Sequence, residues 1–136
     1  MRRLILAASL SFAFPAYAEG IDGDWHLIGI EGQPAPAPLS ISFATDGTFS
    51  GQAPCNRFFG TVTGTLPALS LGSIGATRMA CPEMATEAAY FESLDAMQSA
   101  ELAEDRLFLI GPEGRVLEFA RKTGEDMPCL SCAGGN

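Results

Sequence analysis

Leu39-Ser40-Ile41-Ser42-Phe43-Ala44-Thr45-Asp46-Gly47-Thr48-Phe49-Ser50-Gly51 is the stretch that decides the fold class. Apolar and polar residues alternate from Leu39 to Phe43, the period of two that turns one face of a strand toward a core and the other toward water. Asp46-Gly47 supplies a pair favoured in tight hairpins, because glycine takes the positive φ that such turns need. Thr48 to Gly51 then resumes an extended segment, and the whole predicts an antiparallel hairpin.

The same short-strand pattern recurs on both sides. Trp25 to Ile30 is an apolar-rich run that ends at the stretch Gly32 to Pro38, where three prolines impose a turn or loop. Arg57 to Thr63 and Leu66 to Leu71 read as two further strands, with Gly64 near the turn and Pro67 pointing to an edge or irregular strand. Arg106 to Ile110 and Arg115 to Phe119 form a last hairpin around Gly111-Pro112-Glu113-Gly114, with Leu107 and Leu109 set inward against Leu117 and Phe119. Between these groups, Glu83 to Ala100 is free of glycine and proline and rich in Ala, Glu and Met. Met84, Ala88, Phe91, Leu94 and Met97 recur at three- and four-residue steps, which predicts one amphipathic helix entered at Pro82. The fold class is α+β, mainly antiparallel β: a small curled sheet or open barrel of six or more strands, with one packed helix over about residues 83–100.

The two ends differ from this middle. Residues 1–18 have the form of a secretory signal peptide, with Arg2 and Arg3, an apolar stretch from Leu4 to Phe14, and the small-residue site Ala16-Tyr17-Ala18. The apolar stretch is too short for a membrane span, which takes about 20 apolar residues. A mature chain starting at Glu19 is expected to be periplasmic or secreted, with residues 19–121 as its one domain and 122–136, which lack periodicity, as a flexible C-terminal tail. Loss of the two signal arginines moves the formal charge from −8 to −10. Such a surface repels phosphate backbones, so no nucleic-acid partner is expected.

Taken in order, a Trp-x-Leu first strand, the Asp-Gly hairpin, Cys55-Asn56-Arg57-Phe58-Phe59-Gly60, Thr77-Arg78-Met79-Ala80-Cys81, a helix carrying Tyr90-Phe91 and Leu94, and a final Leu-x-Leu hairpin make a distinctive series. It resembles the META domain family, whose bacterial members include HslJ-like heat-shock proteins and exported or lipid-anchored envelope proteins. The resemblance runs from about Gly23 to Arg121. It implies a small antiparallel β domain with a packed helix, no agreed enzymatic activity, no catalytic residues, and a loose association with envelope stress, secretion and drug tolerance.

Four cysteines allow three pairings. Cys55 with Cys81 is preferred, because both sit in the blocks that carry the resemblance and an exported chain meets an oxidising environment; two free buried thiols are the rival reading. Cys129 and Cys132 have the C-x-x-C spacing of redox and metal sites, yet follow Pro128 in the tail and not a strand. A local disulfide or an idle pair is preferred there over dithiol exchange or metal capture with Glu125 and Asp126. No metal and no other cofactor is expected. His26 is the only histidine, next to Trp25 on the face opposite the core, and no catalytic motif accompanies it. Glu101, Glu104 and Asp105 read as a solvated corner beside a turn. Asn56, Arg57, Thr77 and Arg78 are read first as shapers of the turns around the cysteines, and as the first residues to examine for ligand contact, with Phe58 or Phe59 adding apolar surface. The expected partner is an envelope protein or a small apolar ligand, and the chain is expected to be a monomer. A thiol-active accessory role for Cys129 and Cys132 is the third reading.

Overall fold

Alternation in sequence becomes alternation in burial. In β1 (Gly23–Ile30) Trp25 and Leu27 point inward while Asp24 and His26 face out, and in β3 (Ser40–Phe43) Ile41 and Phe43 are buried between half-exposed serines. The computed structural model describes residues 20–121 and 128–134. The expected signal peptide, Glu125 and Asp126 lie outside the described residues.

Among the described residues, ten strands and one α-helix follow in chain order. After β1 come β2 (Gln33–Pro34), β3, β4 (Thr48–Gln52), β5 (Arg57–Thr65), β6 (Ala68–Leu71) and β7 (Gly75–Ala76); then α1 (Met84–Asp95), β8 (Ser99–Ala103), β9 (Arg106–Ile110) and β10 (Val116–Ala120). All pairings are antiparallel, and β1 pairs with both β3 and β10, so the sheet curls back on itself into a ring. The seam is between β6 and β8, where one residue pair, Ala68 opposite Ser99, joins the two halves. The α+β, mainly antiparallel expectation holds.

Inside the ring, Trp25, Leu107, Leu109, Leu117 and Phe119 are fully buried and Phe43, Phe49 and Phe58 form an aromatic row. The Trp25 indole donates to the Ile21 carbonyl at 2.7 Å, and the Arg121 guanidinium lies 4.1 Å from its ring centroid. Arg121 also donates to the Asp22 and Gly20 carbonyls, which ties the end of β10 to the approach of β1.

Three local expectations are corrected. The helix spans Met84–Asp95 and not 83–100, because residues 99–103 gain more by filling the ladder between β6 and β9. Its buried face is Glu87, Tyr90 and Leu94: Leu94 of the expected stripe points inward, as does Met97 just past the helix, whereas Glu87 and Tyr90 take the buried places expected of Ala88 and Phe91, and Met84 is exposed. Pro67 lies in the turn before β6, a strand flanked on both sides, so it marks no edge.

Candidate functional site

The two blocks carrying Cys55 and Cys81 meet at the start of α1. Cys55 and Cys81 are joined as a disulfide, with Cα atoms 5.5 Å apart. Beside it, Glu87 rises from the helix with 3% exposure, and its Oε2 accepts the backbone N–H groups of Cys55 and Asn56, each at 2.8 Å. Asn56, also 3% exposed, donates from Nδ2 to Glu87 Oε1 and to the Met79 carbonyl at 3.0 Å. Its Oδ1 accepts from the Thr77 hydroxyl at 2.9 Å and from the Met79 N–H at 2.6 Å. Thr77 in turn accepts the Arg57 N–H. Every donor and acceptor of the Asn56 side chain is used within the protein, so the group has no valence left for a ligand.

The structure thus joins buried Asn56 to Thr77, which stands at the exposed edge of the clamp, with Arg57 held through its backbone, while the Arg57 and Arg78 side chains face solvent. Sequence reasoning missed Glu87. Its signal was available, a carboxylate on the apolar side of the helix, but an isolated acid among Ala and Met reads as a solvated position until its partners are known.

Above the clamp lies an open groove of about 400 Å³, walled by Met79, Ala80, Met84, Ala88 and Phe91, with Arg78 at its rim. Met79 is 67% exposed and Met84 43%, unusual for two large apolar side chains facing one depression. The sulfurs of Cys55 and Cys81 and the Glu83 carboxylate also come close together. With the two sulfurs bonded to each other, neither is a thiolate, so that cluster lacks the charged ligands a metal site requires.

A second clamp of the same kind holds residues 128–134, part of the expected flexible tail. Glu118 on β10 is fully buried and accepts the Leu130 N–H at 2.9 Å and the Ser131 N–H at 2.7 Å, and its other neighbour is the Arg106 guanidinium. Arg106 also donates to the Pro128 carbonyl at 2.8 Å. Burial by itself would push the Glu118 carboxyl up, but the hydrogen bonds from Ser131, Leu130 and Arg106 outweigh it and hold the group below its ordinary value. Cys129 and Cys132 are bridged, Cα atoms 5.3 Å apart, and the pair sits over Gly29, where a Cβ would overlap the Cys129 sulfur. Here the segment is fixed against the sheet by a carboxylate that no local pattern in the tail announces. Cys129 Sγ lies 3.5 Å from Glu118 Oε2. A negative neighbour disfavours a thiolate, the reverse of what a nucleophilic cysteine needs.

The META domain model matches residues 18–124, most of the chain and all of both cysteine blocks. The chain belongs to the META domain family. This META domain has solved structural relatives. A DUF4847 family protein from Bacteroides vulgatus superposes with a TM-score of 0.62 at 17% identity, over 77% of this chain and 96% of that one. A protein from Burkholderia xenovorans, solved by NMR, gives 0.62 at 23% identity over 90% and 100%. Another NMR structure gives 0.57 at 24% identity over 74% and 89%. At these identities the likeness concerns the fold. No curated protein matches the chain.

Proposed function

We propose that this META domain is a non-enzymatic binding module of the cell envelope, exported as residues 19 onward, that holds an apolar segment of a partner protein in the groove between Met79 and Met84 and serves under envelope stress. The observation that carries this reading is the exposure of both methionines along one apolar depression beside a disulfide. Thioether side chains are flexible and polarisable, so they repack around varied apolar surfaces at modest cost. The clamp beneath them is saturated and supplies rigidity, while Arg78 at the rim offers a polar contact at the edge. Two disulfides suit an oxidising compartment.

A small apolar molecule is the alternative occupant, but small-molecule pockets usually enclose most of their ligand, and this groove is open. The thiol-active reading is weaker still, given the carboxylate beside Cys129. Photocrosslinking from position 79 or 84 in periplasmic extract should capture a protein, and the Met79→Glu and Met84→Glu variants, folded but with a charged groove, should lose it. Capture unaffected by both charges would sink the reading. A rise in melting temperature with apolar ligands, absent in the same variants, would favour the carrier.

A further inference from the structure

On the opposite, outward face of the sheet, β1, β3, β4 and β5 line up two cross-strand rows. Strand register sets Asp24, Ser42, Ser50 and Phe59 in one row and His26, Ser40, Gln52 and Arg57 in the next. Serines therefore take three of the four middle positions, with Gln52 at the fourth, and longer side chains stand on the two outer strands, three strand spacings or roughly 14 Å apart. The result is a trough of about 480 Å³.

Its chemistry differs from that of the clamps. The side chains of Asp24, His26, Ser40, Ser42, Ser50 and Arg57 make no hydrogen bond or ion pair with other side chains or backbone among the described residues; Gln52 alone is engaged, with the Ala53 carbonyl. At one end Phe59 lies across Gly75 of β7, where a Cβ would come within 2.6 Å of the ring, and it is left 56% exposed. Glycine at that position lets the ring rest on the backbone as a supported plate with its other face open. Asp24 and Arg57 offset each other, so the trough is locally neutral on a chain whose net charge is −8.

We propose that this trough binds a neutral oligosaccharide. A sugar ring offers an apolar C–H face to an aromatic plate and hydroxyls that both donate and accept, which matches Phe59 beside free serine, carboxylate, imidazole and guanidinium groups. The net negative charge disfavours anionic glycans and other polyanions. Their repulsion leaves a neutral saccharide as the ligand class that fits both the free hydrogen-bonding groups and the exposed ring.

Amide chemical-shift titration of the isotopically labelled protein with triacetylchitotriose and maltotriose, and with a heparin tetrasaccharide as the anionic comparator, tests this. At least one neutral sugar should shift Ser40, Ser42, Ser50 and Phe59 while leaving Met84 and Ala88 in the groove unmoved. Phe59→Ala should weaken that binding roughly three- to tenfold, the range expected for losing one aromatic contact. Ser42→Val, a strand-compatible change that removes a hydroxyl from the floor, should weaken it as well and carries the test if the first variant fails to fold. The proposal is overturned by an absence of shifts with both neutral sugars at millimolar concentration, by shifts with heparin alone, or by unchanged affinity in the folded variants.

Discussion

Glu87 Oε2 and the backbone N–H of Asn56 stand 2.8 Å apart across 31 residues of sequence, and this one contact joins the helix to the turn that launches β5. Glu118 does the same for the C-terminal segment, accepting the consecutive N–H groups of Leu130 and Ser131. In both places a buried carboxylate takes two neighbouring amides from a loop that also carries a disulfide. The covalent bond shortens the loop's range of motion, and the carboxylate selects one conformation within it. Because both carboxylates are buried, neither can be left unpaired cheaply.

Removing either side of the first clamp should therefore be costly. Asn56→Leu strands the Met79 N–H and carbonyl and half of the Glu87 carboxylate, and a loss of about 3–5 kcal/mol is expected in urea unfolding. Glu87→Gln turns an acceptor pair into one acceptor and one donor, facing N–H groups that need acceptors, and should lose about 2–4 kcal/mol. A change below 1 kcal/mol in both would show that the network contributes nothing to folding.

The two disulfides should differ in what their loss does. Cys55 and Cys81 enclose a separation of 26 residues, for which loop-closure entropy gives about 3.5 kcal/mol, so the paired alanine variant should unfold at clearly lower denaturant. Cys129 and Cys132 are separated by only 3, and their removal should act locally, lowering hydrogen-exchange protection at Leu130 and Ser131 with little change in the global midpoint.

The C-terminal clamp should be sensitive to acid. The Glu118 group is depressed in the folded chain, so its contribution is present above the unfolded value of about 4.3 and disappears as pH falls through the lower folded value. Protection of the Leu130 and Ser131 amides should hold at pH 7 and collapse in the acid range below about 4. Gly29→Ala should release the same segment at neutral pH by placing a methyl group against the Cys129 sulfur, with the rest of the sheet intact. Acid-independent protection in the parent chain, or full protection in the alanine variant, would contradict this account.

Tyr90 presents the opposite case. Its hydroxyl is buried with no partner among the described residues, and burial pushes its ionisation well above the ordinary tyrosine value. The ring itself packs edge-on to Phe58 at 5.7 Å, which Phe at position 90 would preserve. Tyr90→Phe should raise stability by up to about 1 kcal/mol, since it removes a polar atom that is desolvated without compensation. A marked loss on thermal unfolding would mean that the hydroxyl has a partner.

The amino-acid order alone determined what depends on neighbours close in the chain. The hairpin around Asp46-Gly47, the inward leucines of β9 and β10 and the presence of one helix all follow from periodicity and turn chemistry, which operate over a few residues. Asn56 and Thr77 stand out in the sequence as polar shapers of the turns around the cysteines, and they bond the Met79 and Arg57 backbone there; the partner of Asn56 across the chain, Glu87, does not stand out. Tertiary structure decided where α1 ends, because Ser99–Ala103 becomes a strand only when β6 and β9 stand on either side of it. It also decided the closure of the ring through β1 and β10, and the burial of Glu87 and Glu118, since an acid shows its worth only once distant amides converge on it. Periodicity records which face of a segment is dry; it carries no information about which remote donor will arrive there.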